Sequence, residues 1–355
     1  MSLSAASFIF AFDSCSYPVQ HDLKKRKAQD LITSNPVLKV DQLETTFFLK
    51  SGPFKAVNRI SYEINQGQTL GIVGESGCGK SVTSFSLMKL IGAPGKITHG
   101  SAKLNGVDLI QMSPGEIENV RGGKMAMIFQ EPMTALNPVL TIGYQMSEQI
   151  IKHLRYNKSD ARNRSIEMLE LVGIPSAKDR HDSYPHQLSG GMRQRAMIAM
   201  ALSCNPQFLI ADEPTTALDV TIQAQILELF QGLQEKLNMS VQFITHDLGV
   251  ISEVSDQILV MYGGQMCETG NTQDVINSPR HPYTAALIQS RPKLGQKVSR
   301  LKTIEGSVPA PHELPQGCPF ATRCTRVKTE CWTVKPPMTP ITSQPLRAVA
   351  CFNPL

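Results

Sequence analysis

The chain of 355 residues has no run of eighteen apolar residues, so no segment reads as a membrane-spanning helix. The nearest approach, residues 5–12, is about one third of a span. It has no positive stretch ahead of it, which argues against a secretory signal. Strong charge of either sign is also missing: a net +5 does not require nucleic acid as a partner. Tightly spaced cysteine pairs are absent from the last eighty residues, which carry Cys318, Cys324, Cys331 and Cys351 with five, six and nineteen residues between them. Such spacings fit neither zinc knuckles nor the common ferredoxin patterns. What the chain does have is enough apolar content, 41%, for a sizeable buried core, and a length that suits one large domain with appendages.

The most informative string is Gly-Glu-Ser-Gly-Cys-Gly-Lys-Ser at residues 74–81. It satisfies the pattern Gly-x-x-x-x-Gly-Lys-[Ser/Thr]. Residues 69–73, Thr-Leu-Gly-Ile-Val, read as a short strand before it, and a helix is expected from Gly79 onward. Glycines at 74, 77 and 79 let the backbone turn tightly and approach a phosphate with no Cβ in the way. The N–H groups of Glu75, Ser76, Cys78 and Val82, with the positive end of the helix, would line an anion site. Lys80 would reach the β- and γ-phosphates and the Ser81 hydroxyl would bind Mg²⁺. An ordinary Gly-rich turn with a surface lysine is the competing reading, and the flanking strand and helix weigh against it.

Residues 208–213, Phe-Leu-Ile-Ala-Asp-Glu, place two carboxylates at the end of an apolar strand. Buried charge is costly without a partner. Alone, the pair is equally a helix cap, since Pro214 and Thr215 suit a turn. With a phosphate loop upstream, Asp212 is assigned to the Mg²⁺ shell and Glu213 to the water-activating base. Residues 188–195, Leu-Ser-Gly-Gly-Met-Arg-Gln-Arg, open an apolar helix. Ser189, Gly190 and Gly191 there form a second anion-binding surface, or simply a helix cap.

The remaining chain is organised around these strings. Residues 1–35 are expected to be a disordered extension, with a basic run at 24–27 and a weaker alternative as an anionic-lipid contact. Alternation of apolar and polar residues from Val37 to Ile64 predicts an antiparallel strand pair. Helical spacing over 142–155 and 159–172 predicts a helical subdomain at about 131–187. Ile222, Ile226, Leu227, Phe230, Leu233 and Leu237 share one helix face, which is core packing. From 286 onward proline recurs and periodic segments fade, giving a loop-rich extension to 355.

The order of these motifs resembles the ATPase subunit of ABC transporters, an α/β P-loop fold with an antiparallel β subdomain and an inserted helical subdomain. That resemblance implies roles for further residues. Gln130, in Ile-Phe-Gln-Glu-Pro, would touch Mg²⁺ and the attacking water; His246 would contact the γ-phosphate; Asp219, in Ala-Leu-Asp, matches the D-loop and also suits a helix N-cap. ATP would lie between the P-loop of one subunit and Ser189–Gly191 motif residues of another. An aromatic ahead of the P-loop would stack on adenine; Phe47 is preferred, with Phe48 and Phe54 competing because residues 50–54 resemble a small insertion.

Three strings narrow the resemblance: His-Pro-Tyr-Thr at 281–284, Glu-Gly-Ser-Val-Pro at 305–309 and Gly-Cys-Pro-Phe-Ala-Thr-Arg-Cys at 317–324. They are similar to the dipeptide/oligopeptide/nickel importer ATPases. The resemblance implies import of peptides with membrane permease subunits, a second ATPase subunit (a copy or a paralogue), an external substrate-binding protein, and a peripheral place on the cytoplasmic face of the membrane. It also implies a [4Fe–4S] cluster held by Cys318, Cys324, Cys331 and Cys351; a four-thiolate zinc site and free thiols are the alternatives. A soluble ABC ATPase acting on DNA or ribosomes is the competing function. It would need a long coiled-coil or zinc insertion, or a second P-loop, and the chain has neither.

Overall fold

The computed structural model describes residues 36–131, 135–215, 220–290, 303–310, 313–342 and 344–355. The expected extension at 1–35 and the D-loop residue Asp219 lie outside these. Two sheets organise the described chain. In the first, β1 (Leu38–Leu49) pairs antiparallel with β2 (Gly52–Ile64) and β4 (Gly95–Leu104), and β5 (Val107–Asp108) extends it in the order β2-β1-β4-β5. The hairpin from Val37 to Ile64 is therefore as the alternation predicts, and Lys50 and Ser51 form its turn, because Leu49 is opposite Gly52.

The second sheet has eight strands in the order β11-β12-β10-β9-β3-β8-β7-β6. Its parallel part comprises β9 (Gln257–Tyr262), β3 (Thr69–Val73), β8 (Ser240–Ile244), β7 (Phe208–Asp212) and β6 (Met125–Ile128). Every residue of β3, β6, β7 and β8 is buried. Strands covered on both faces read as unbroken apolar runs, which is why residues 69–73 and 208–211 stand out in the sequence. Alternation along β7 divides the core: Phe208 and Ile210 join the cluster under the antiparallel sheet, and Leu209 and Ala211 face the helices on the other side.

Those helices begin where capping chemistry allows. α1 (Lys80–Leu87) follows the P-loop, and α2 (Pro114–Val120) opens on Ser113 with a capping box to Glu116. α3 (Ile142–Leu154) and α4 (Lys158–Leu171) start at Thr141 and Asn157, whose side chains accept the backbone N–H groups of Tyr144 and Asp160. With the short α5 (Ala177–His181) they supply the helical segment expected between residues 131 and 187. α6 (Gly190–Leu202) and α7 (Val220–Leu237) bury Ile198, Leu202, Ile226 and Phe230 against the parallel strands. α8 (Leu248–Val254), α9 (Thr272–Asn277) and α10 (Pro282–Gln289) complete the set.

The tail is joined to this scaffold through its backbone. β12 (Gln344–Val349) pairs with β10 (Gln265–Asn271), and β11 (Thr339–Ile341) pairs with β12 at the sheet edge. Arg347 on β12 donates to Glu268 on β10 at 2.7 Å, with the two side chains 3% and 0% exposed. Glu268 also accepts the backbone N–H groups of Arg280 and His281, so the buried charge is hydrogen-bonded as well as paired. Burial pulls the His281 pKa down to about 4, so its ring is neutral; its Nδ1 accepts the Tyr283 N–H and caps α10. The tail's hydrogen bonds thus run into the same sheet as the phosphate loop.

Candidate functional site

Strand order places the site. The P-loop leaves the end of β3, His246 follows β8, Asp212 ends β7 with Glu213 just after it, and Gln130 follows β6. β3, β8, β7 and β6 are consecutive neighbours, so residues up to 172 apart in sequence meet at one edge of the sheet. Ligand sites at the carboxyl ends of parallel strands follow from this geometry.

Local geometry explains the P-loop glycines. Gly79 has φ 99°, and a Cβ there would stand 2.3 Å from the Ala56 carbonyl oxygen. At Gly74 a Cβ would come within 2.2 Å of the Met261 carbonyl oxygen and 2.6 Å of the Cys78 Sγ. Only glycine fits either place. Cys78 is fully buried beneath the loop, and burial pushes its thiol pKa up, as suits a small neutral filler. The Lys80 ammonium is folded over the loop, donating to the carbonyls of Gly74 at 2.7 Å and Glu75 at 3.2 Å.

The residues expected at the metal and the attacking water are brought together. Ser81 donates to Asp212 Oδ1 at 3.1 Å. Asp212 is 2% exposed; burial and the neighbouring Glu213 push its carboxyl upward, and the Ser81 hydrogen bond opposes them. A hydroxyl against a buried carboxylate whose charge is disfavoured is a donor set that suits Mg²⁺. Glu213 Oε2 lies 3.3 Å from both Gln130 Nε2 and His246 Nδ1. Glu213 adopts φ 46°, a strained conformation for a non-glycine residue that is held by its N–H donating to the Ile244 carbonyl at 2.9 Å.

A cleft of about 460 Å³ opens beside this cluster, within the range of small-ligand sites. Ser76, Gly77, Gly79, Lys80, Ser81, Val82, Gln130 and Glu213 line it, with Phe47 and Phe54 on the wall toward β1 and β2. Phe47 and Phe54 are opposite each other across the hairpin, whereas Phe48 points to the other face and is 55% exposed. Two of the three candidate aromatics thus reach the cleft. Gly74, Glu75, Cys78, Asp212 and His246 do not line it.

Ser189, Gly190 and Gly191 are also outside the cleft lining. Ser189 caps α6, accepting the Met192 N–H at 3.3 Å, and Ser189 and Gly190 are exposed. The second anion surface therefore faces outward. Sequence reasoning missed Gln194, which is buried on α6 and donates to the Pro214 carbonyl, tying that helix to the turn after Glu213. Its only signal was a glutamine on the apolar side of a helix.

A cleft lined by a phosphate loop, beside a buried hydroxyl–carboxylate pair and a carboxylate shared by Gln130 and His246, with a capped helix start facing outward, defines a P-loop ATPase of the ABC type. Comparison with known proteins agrees. The ABC transporter family profile matches residues 57–216, and that of the oligopeptide/dipeptide transporter C-terminal region matches 267–331. The chain is 50% identical over 317 residues to the oligopeptide transport ATP-binding protein AppD of Bacillus subtilis, covering 89% of this chain and 96% of that one. It is 49% identical over 319 residues to the dipeptide transport ATP-binding protein DppD of Escherichia coli, covering 90% and 97%. Among solved structures, the dimeric ATP-binding cassette MJ0796 bound to ADP and Pi superposes with a TM-score of 0.60 at 26% identity, covering 66% of this chain and 98% of that one. The chain belongs to the ABC transporter ATP-binding family, in its oligopeptide/dipeptide branch.

Proposed function

We propose that this chain binds ATP in the cleft and hydrolyses it to energise import of di- or oligopeptides through a membrane permease. The observation that carries the chemistry is the shared Glu213 carboxylate, 3.3 Å from Gln130 and His246. A bound Mg²⁺, held by Ser81 and Asp212 with Gln130 nearby, would offset phosphate charge. Lys80 holds the phosphates by charge, Glu213 takes the proton of the attacking water while Gln130 orients it, and His246 contacts the γ-phosphate. Phe47 or Phe54 stacks on the base. Residues 36–285 form the ATPase domain, with a helical subdomain at about 131–187 and an extension from 286.

The substrate class rests on identity of 49–50% with two transport ATP-binding proteins across nearly their full lengths, one named for oligopeptides and one for dipeptides. The DNA or ribosome alternative has no comparable support. Among the described residues no helix is long and apolar enough to cross a membrane. The reading places the chain as a peripheral subunit at the cytoplasmic face, with permease subunits, a second ATPase subunit and an external substrate-binding protein. Affinity purification from native membranes should recover permease subunits; recovery of ribosomal proteins or DNA instead would remove the transport reading.

The reading extends to a [4Fe–4S] cluster in the tail. Cys318, Cys324, Cys331 and Cys351 line one pocket with His281, Phe320 and Phe352. Backbone N–H groups of Arg326, Lys328 and Asn353 donate to Cys324, Cys331 and Cys351, each at 3.4 Å. Amide donors to sulfur are a feature of cluster sites. Burial pushes the Cys318 thiol up to about 12, and raises Cys324 and Cys351 as well, so ligation to a cation would be needed to hold them as thiolates. Among the described residues no three His, Cys, Asp or Glu side chains are placed to hold a single metal ion. Anaerobically purified protein should show broad visible absorption and about four irons per chain, and each Cys→Ser change should bleach it. Stoichiometric zinc with no iron, or no metal at all, would defeat the cluster.

A further inference from the structure

The P-loop residue Glu75 turns away from the cleft and toward the tail. Its carboxylate is gripped by Arg323, at 2.5 Å from Nη1 to Oε2 and 3.1 Å from Nη2 to Oε1. Arg323 directly precedes Cys324 and its side chain is only 4% exposed. The rest of its guanidinium is satisfied: it donates to the carbonyls of Ile304, Glu305 and Gly306 and to the Tyr262 hydroxyl at 3.2 Å. The Glu75 backbone N–H donates to the Tyr283 hydroxyl at 2.8 Å. Tyr262, Tyr283 and Phe320 pack as an aromatic group with ring centres 4.7–5.2 Å apart. Both the side chain and the backbone N–H of Glu75 are thus fixed from the C-terminal third of the chain.

The electrostatics of this contact are specific. A carboxylate inside a loop that binds an anion repels its ligand unless something cancels it. A bidentate guanidinium both cancels the charge and sets its direction. We propose that Arg323 is a positioning residue for the phosphate loop: it keeps Glu75 turned away from the nucleotide and neutralised, so the cysteine-bearing tail sets ATP affinity. The contact is independent of what fills the cysteine pocket, but the proposal rests on the cleft being the ATP site.

The test is equilibrium binding of a fluorescent ATP analogue to the full chain, with thermal melting of each variant. Binding by the wild-type protein checks the ATP reading itself. Given that, Arg323→Gln should weaken binding about tenfold, by exposing the loop to an unpaired carboxylate. Adding Glu75→Gln to Arg323→Gln should restore most of the affinity, a rescue that loss of fold would not give. In the assembled transporter, KM for ATP should rise in Arg323→Gln with kcat little changed. Wild-type affinity in folded Arg323→Gln, or a double variant weaker than the single, would overturn the proposal. If Arg323→Gln does not fold, Tyr283→Phe decides: it removes only the hydroxyl at the Glu75 N–H and should weaken binding a few-fold, and unchanged affinity there counts against the clamp.

Discussion

Glu213→Gln should bind ATP as tightly as the wild-type protein and turn it over about 10²–10³-fold more slowly. The substitution keeps shape and hydrogen-bonding capacity toward Gln130 and His246, both 3.3 Å from Oε2, and removes only the base. Lys80→Ala should behave in the opposite way. Its ammonium is the group folded over the loop carbonyls, so its loss should show first in nucleotide binding. The two variants are separated by measuring ATP affinity on the isolated chain and turnover in the assembled transporter. Near-normal hydrolysis by Glu213→Gln would remove it as the base and leave the strained φ of 46° without a catalytic explanation.

The second large effect is expected from Ser189 and Gly191. Ser189→Ala and Gly191→Asp should leave ATP affinity of the isolated chain unchanged and lower turnover of the complex about 10²-fold or more. The reason is spatial: Ser189 and Gly190 are exposed, and none of the signature residues lines the cleft of their own chain. A Cβ at Gly191 would meet the Ile222 side chain at 3.4 Å, an ordinary contact. An aspartate at a helix start favours the helix while repelling a phosphate, which separates function from stability. Equal hydrolysis by mutant and wild-type complexes would refute a composite site built from two chains.

The site was readable from the chain to different depths. Lys80, Ser81 and Asp212 follow from pattern and polarity, because a phosphate loop and a buried carboxylate leave a local mark. Gln130 and His246 do not; each is a single polar residue at a strand end, and only the resemblance singled them out. The choice between Phe47, Phe48 and Phe54 was open in the sequence, since it depends on register. The hairpin pairing of Phe47 with Phe54 puts both on the cleft side and Phe48 on the other. The Arg323–Glu75 contact was invisible, although both Arg323 and Tyr283 lie in the tail strings that carried the resemblance. Nothing along a chain marks a partner 248 residues away.

What the sequence by itself determined is local and periodic. Unbroken apolar runs mark strands buried on both faces, glycines mark a loop where backbone approaches within about 2–3 Å of a would-be Cβ, and Ser, Thr and Asn mark helix starts. These depend on neighbours within a few positions, so they survive reading in one dimension. The tertiary structure alone decided the order β3-β8-β7-β6, which gathers Lys80, His246, Glu213 and Gln130 at one sheet edge, and the pairing of β12 with β10. It also decided that a tail poor in periodic signal shares the sheet of the phosphate loop. Strand order is set by which apolar faces bury most surface together, a property of the whole core that no window of sequence contains.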